Sequence, residues 1–172
     1  LKFLILQYII NANGANRGKK TQNGTTWKGD EKQMSYLGVF FHNIDSNNRL
    51  VMPSGFREKM GQEFVLFKSP DGCVSVYDAE TFDGLLEQVR KLTNTSEGRM
   101  QARTFTRAAK TVTQDKQGRF TVPADYIEFA SLQDGVVITG EGNRLEIWSQ
   151  AEYEKQNSGE VFVPSAYPQI FY

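Results

Sequence analysis

The chain has 172 residues, 39% hydrophobic and 23% charged, with Lys+Arg 20 balanced by Asp+Glu 20; this fits a globular protein of one domain, or two small ones fused, able to bury a core without covalent staples. A single cysteine, Cys73, excludes an internal disulfide framework and a thiolate zinc site, and a single histidine, His42, argues against a His-rich metal site. Zero net charge supplies no global field for a nucleic acid or a membrane, so whatever the chain binds it must bind by local arrangement.

Residues 1–33 differ in texture from the rest. Leu1 to Ile10 is an apolar run, too short for the roughly 20 residues a bilayer span needs, and it gives way to a polar Gly/Asn-rich stretch without periodicity. It lacks a clear signal-peptide cleavage site, so the segment reads as an N-terminal extension outside the folded domain. The alternative is a basic arm: Lys2, Arg17, Lys19, Lys20, Lys28 and Lys32 against Asp30 and Glu31 carry net +4, and such an arm could add phosphate contacts.

Ordered pattern begins behind Met34. Val39 to Ile44 predicts a strand, Asp45 a turn, Arg49 to Met52 a second strand, and Pro53 to Met60 a short helix. A hairpin follows around Pro70-Asp71-Gly72. Phe82, Leu85, Leu86, Val89 and Leu92 recur at helical spacing over Glu80 to Leu92, the mark of a buried stripe. Arg99, Arg103, Arg107 and Lys110 predict a basic line on a helix over Arg99 to Lys110, serving as a solvated face or an oligomer contact. The series then repeats: strand Thr111 to Gln114, turn at Asp115, strand from Arg119, helix Pro123 to Ala130, and a hairpin around Gly140-Glu141-Gly142. Asn157 to Tyr172 is apolar and aromatic without a period, a surface strap or a loose end. Phe40, Phe41, Phe64, Phe67, Phe105, Phe120, Phe129 and Trp148 are expected in the core.

The repetition is literal. Asp45-Ser-Asn-Asn-Arg49-Leu-Val-Met-Pro53 recurs seventy positions on as Asp115-Lys-Gln-Gly-Arg119-Phe-Thr-Val-Pro123, and with one residue of slip Val65 to Tyr77 lies over Val136 to Trp148. In each turn the Asp can accept backbone amides two residues on. Asn48 and Gly118 tolerate positive φ, and Pro53 and Pro123 suit the first position of a helix. Asp45, Asp115, Gly118, Pro53 and Pro123 therefore organise the turns. Two such units most simply pair about a pseudo-two-fold axis into one β-barrel-like core with peripheral helices, an α+β fold in which the two turns project side by side.

The D-x-x-G/N-R-apolar-x-apolar-P string resembles the AbrB-type swapped-hairpin motif. Its double copy is more specific, together with Leu37-Gly38, Asp71-Gly72-Cys73, Arg103-x-Phe105-x-Arg107 and Gly142-Asn-Arg-Leu-Glu-Ile-Trp148. These resemble the MraZ family over Met34 to about Lys155, with no counterpart for residues 1–33. The resemblance implies repeats at 34–79 and 111–155, joined by helices at 80–110 and followed by a tail at 156–172. It also implies a cytoplasmic, nucleoid-associated transcriptional regulator of the bacterial division and cell-wall gene cluster. Such a protein forms closed homo-oligomeric rings and binds direct repeats upstream of its own promoter. Two departures stand out: Asn48 replaces the family's usual glycine, and Ile127 stands where an arginine often recurs.

The chemistry of the turns agrees with double-stranded DNA as partner. Arg49 and Arg119 can read guanine bidentately, while Asn47, Asn48, Lys116 and Gln117 offer amides and a cation beside them. Equally, each Asp and Arg could pair only to hold its turn. Residues 34–155 hold 14 Lys+Arg against 17 Asp+Glu, net −3, which suits a polyanion poorly in a monomer; a ring would gather the same arginines on one face and link them to repeated sites. The alternative function is a structural or protein-interaction ring without base reading.

No enzyme is expected. The paired Asp residues lack the Asp-Thr/Ser-Gly loop of the aspartic-protease dyad, Cys73 and His42 form no recognisable pair, and Gly140-Glu-Gly142 leads into a strand rather than a helix. No cofactor, metal, membrane or small-molecule substrate is expected.

Overall fold

The computed structural model describes residues 36–133 and 135–158. The expected N-terminal extension and residues 159–172 of the expected tail lie outside the described residues. The first half runs β1 (Tyr36–Asn43), β2 (Arg49–Val51), α1 (Ser54–Met60), β3 (Glu63–Lys68) and β4 (Val74–Asp78). Helices α2 (Ala79–Lys91) and α3 (Ser96–Arg107) connect it to β5 (Ala109–Thr113), β6 (Arg119–Thr121), α4 (Ala124–Ala130), β7 (Gly135–Gly142), β8 (Leu145–Ser149) and α5 (Gln150–Gln156). The fold is thus mixed α+β, with antiparallel pairing throughout.

The six-stranded sheet has the order β1-β7-β8-β4-β3-β5, and β2 and β6 form a separate two-stranded ribbon. Exchanging the halves (β1 with β5, β3 with β7, β4 with β8) turns that order into its own reverse. Each half supplies its first strand to the hairpin of the other: β1 pairs with β7, and β5 with β3. Only the hairpins β3–β4 and β7–β8 pair within a half. Neither half can therefore complete its sheet alone.

The registers correct the repeat alignment. Phe64 pairs with Val112 as Val136 pairs with His42, so Phe64, not Val65, is the counterpart of Val136, seventy-two positions on. The extra residue is returned in the hairpin. Lys68 and Val74 close a loop around Pro70-Asp71-Gly72, whereas the second hairpin turns at Gly142-Asn143, where Glu141 N–H donates to Arg144 C=O. Gly140 lies inside β7 rather than in a turn. A Cβ there would stand 2.5 Å from the Tyr36 carbonyl carbon, so glycine lets β1 approach.

Apolar burial joins the halves. Leu50, Met52, Phe64, Leu66, Val74 and Val76 of the first pack with Phe120, Val122, Val136, Ile138, Leu145 and Ile147 of the second. Phe64 and Phe120 meet edge to face at 5.1 Å. In α2, Phe82, Leu85 and Val89 are buried as the stripe predicts, and the Asp78 carboxylate caps the helix by accepting from Thr81 N–H at 2.8 Å. α3 buries no side chain fully; Phe105 holds it down by stacking on Phe82 at 5.7 Å.

Three expectations fail locally. Phe41 and Phe129 are exposed rather than core: Phe41 meets the Tyr153 ring of α5 edge to face at 6.4 Å, and the Lys68 ammonium lies 5.7 Å from the Phe129 ring, which leaves most of each side chain uncovered. Pro53 and Pro123 precede their helices as N-caps with extended ψ of 136° and 145°, not as first helical residues. Lys110 lies on β5, so the basic line on the helix ends at Arg107. Cys73 is fully buried, and burial raises its thiol to about 12, which leaves it a packing residue. Among the described residues no helix is long and apolar enough to cross a membrane.

Candidate functional site

Both Asp-to-Arg turns adopt one geometry, set by residues within five positions of each other. In the first, Asp45 Oδ1 accepts from the backbone N–H of Asn47 at 2.9 Å and of Arg49 at 2.8 Å, while Oδ2 accepts from Arg49 Nε at 2.8 Å. In the second, Asp115 accepts from Gln117 N–H at 2.8 Å, Arg119 N–H at 3.0 Å and Arg119 Nε at 2.7 Å. The backbone closes each loop identically, with Asp45 N–H donating to Arg49 C=O and Asp115 N–H to Arg119 C=O. Asn48 at φ 59° and Gly118 at φ 80° supply the left-handed residue before each arginine.

These bonds hold both carboxyls below the ordinary carboxylate range. The backbone N–H of the arginine is the largest cause in each, and the guanidinium adds to it. The Asp–Arg pairing read as a turn fastener is present, yet it engages only Nε. Among the described residues the terminal nitrogens of Arg49 and Arg119 have no hydrogen-bond partner, and the two side chains are 43% and 47% exposed. Asn47, Lys116 and Gln117 are also exposed, and Asn48 is partly so.

The turns do not stand side by side. Within the ribbon Leu50 faces Phe120 and Arg49 faces Thr121, and beyond it Met52 N–H donates to Gly118 C=O while Val122 N–H donates to Asn48 C=O. The antiparallel register thus puts the turns at opposite ends of the ribbon, about 13 Å apart along it at roughly 3.3 Å per residue. Leu50 and Phe120 point into the core, and Arg49, Val51, Arg119 and Thr121 face outward.

Two residues of the site escaped the sequence reading. Arg57 of α1 donates through Nε to Met52 C=O at 2.9 Å and lies over Gly118 of the other half's turn. Gln114, immediately before Asp115, is buried and donates through Nε2 to Gly61 C=O at 2.6 Å and Arg57 C=O at 3.2 Å. The signal for both was asymmetry between the repeats: Arg57 stands opposite Ile127, and Gln114 opposite Ile44. These polar substitutions tie the second turn to α1.

Comparison with known proteins returns one consistent result. The family model of the MraZ protein matches residues 36–104 and again 105–162. A relative named "Transcriptional regulator MraZ" from Finegoldia magna is 39% identical over 127 residues, covering 72% of this chain and 87% of the relative. The Clostridium tetani protein of the same name is 35% identical over 127 residues, 73% of this chain and 89% of its own. That of Heliobacterium modesticaldum is 42% identical over 123 residues, 71% and 86% respectively. All three carry the name of a regulator, not of an enzyme.

Proposed function

From the premise that this chain belongs to the MraZ family, we propose that it is a regulator of transcription that reads double-stranded DNA with its two Asp-to-Arg turns. The observation that carries this reading is the identical clamp in both repeats: a carboxylate fixes the turn and Nε, and the arginine side chains remain about half exposed. A guanidinium preset in this way loses less side-chain entropy when it meets the O6 and N7 of guanine. Asn47, Asn48, Lys116 and Gln117 flank the arginines as further base or phosphate contacts. The outward face of the β2–β6 ribbon has dimensions that the major groove admits.

Affinity then depends on assembly. The net −3 of residues 34–155 opposes binding by one subunit, and a closed homo-oligomeric ring presents several arginine turns to repeated sites at high effective concentration. The sites are direct repeats upstream of the protein's own promoter, in a division and cell-wall gene cluster, and the protein acts in the cytoplasm at the nucleoid. The cross-half pairing of β1, β2, β5 and β6 supports reading residues 34–79 and 111–155 as two swapped-hairpin repeats closing one barrel, with 80–110 as the connector.

The test is competition binding of labelled DNA from immediately upstream of the coding sequence against a scrambled duplex of equal length, across a salt series. Preference for the upstream DNA with a steep loss on raising salt is the expected result. Equal competition by the scrambled duplex would instead favour a structural or protein-interaction ring, in which the ion pairs only fasten the turns.

A further inference from the structure

Two surfaces of this molecule remain unused by the turns, and they lie at opposite edges of the six-stranded sheet. At one edge β1 pairs with β7 alone, and Leu37, Val39 and Phe41 on one of its faces are 69%, 46% and 66% exposed. These are three of the six large apolar side chains exposed among the described residues. Beside them opens a groove of about 500 Å³ whose walls include Val39 and Trp148 and the carboxylates of Asp71, Glu141 and Glu146. Arg144 neutralises Glu146 at 2.6 Å, and among the described residues Asp71 and Glu141 have no cationic partner.

At the other edge β5 pairs with β3 alone, and α3 lies over it, with Phe105 4.8 Å from Phe67. α3 turns outward Met100, 56% exposed, with Arg103 and Arg107 on the same face at i+3 and i+7. One edge therefore carries an apolar stripe with an acidic groove, and the other a basic helix face with a single exposed methionine.

We infer that the β1 stripe with its acidic groove and the Met100–Arg103–Arg107 face of α3 are the two complementary halves of one interface between copies of this chain. The inference rests on the ring reading and names the contact that would build it. Each copy offers one surface of each kind at opposite edges, so the contact is head-to-tail, and such contacts close into a ring when the rotation permits. Met100 meets the Leu37–Phe41 stripe, and the arginines meet Asp71 and Glu141, the pairing of apolar core with complementary charge that protein interfaces use.

The experiment uses the full chain in two doubly substituted forms, Leu37→Asp with Phe41→Asp and Arg103→Glu with Arg107→Glu. Circular dichroism and thermal melting report that each is folded, and analytical ultracentrifugation measures mass. The unaltered chain sediments as a multi-subunit particle, each form alone as a monomer, and their equimolar mixture as a heterodimer, since one intact surface of each kind remains. Unchanged mass in either form, or a mixture that stays monomeric, overturns the inference while leaving the ring intact as a reading. A monomeric unaltered chain overturns the ring reading itself. A chain ended after Ser158 assembles like the full one; assembly seen only after that truncation would make residues 159–172 the occupant of the stripe and overturn the inference.

Discussion

Arg57 crosses from the first half to lie against Gly118 in the turn of the second, so close that a Cβ on residue 118 would stand 2.3 Å from Arg57 Nε. Gly118 is also at φ 80°. Its counterpart Asn48 carries a side chain at φ 59°, and the residue equivalent to Arg57 is Ile127, a shorter side chain that packs into the core. The two turns have the same hydrogen bonds but different tolerance.

Gly118→Ala is therefore expected to destabilise the protein by about 1–3 kcal/mol, from left-handed backbone strain and the collision together. Asn48→Gly should change stability by about 0.5 kcal/mol or less. Adding Arg57→Ala to Gly118→Ala relieves the collision but not the strain, which predicts a coupling on the order of 1 kcal/mol in a double-mutant cycle. Urea unfolding of the unaltered protein, Gly118→Ala, Asn48→Gly, Arg57→Ala and the double variant measures all three, and additive losses would show that Arg57 and Gly118 do not touch.

The pH dependence follows from the clamps. Asp45 and Asp115 have folded values below their unfolded ones, so their contribution is present above the ordinary carboxylate range and is lost as pH falls through the folded values, below about pH 4. His42, lowered by burial, adds an earlier decline, because below 6.5 the unfolded chain takes up its proton more readily than the folded one. The amide resonances of Asn47 and Gln117 should hold their positions from pH 8 to 5 and shift together in stronger acid. Movement of either amide near neutral pH would contradict the clamp.

Exchange of strands between the halves makes them unfold together. Phe120 is 2% exposed and meets Phe64 of the other half, so Phe120→Ala should cost about 3–5 kcal/mol. Fluorescence and far-ultraviolet circular dichroism should still report coincident transitions in urea. A variant that melts in two steps, one half before the other, would show that the halves are separable.

The Asp-to-Arg turns were readable because their causes are local: a carboxylate, two amides within four residues, and a residue tolerant of positive φ. The buried stripe Phe82, Leu85 and Val89 was readable for the same reason, since helical spacing exposes it. What could not be read is tertiary. The antiparallel pairing of Arg49 with Thr121, which sends the turns to opposite ends of the ribbon, depends on contacts seventy residues apart. The two-residue turn at Gly142-Asn143 was hidden by nearby glycines that do another job, Gly140 yielding space to β1. Exposure of Phe41 and Phe129 reflects how little of each side chain its neighbours cover, and local periodicity does not reveal that. Arg57 and Gln114 look like ordinary surface residues until the second turn is seen beneath them.

The central claim is that Arg49 and Arg119 read bases from clamped turns, and the most direct measurement is the affinity of Arg49→Ala, Arg119→Ala and the double variant for upstream repeat DNA at fixed salt, with particle mass recorded alongside. Each single substitution should weaken binding by about 1–3 kcal/mol, roughly 5- to 150-fold, and narrow the preference over scrambled DNA, while the mass stays that of the unaltered protein. Full affinity and full preference in the double variant at unchanged mass would contradict the account.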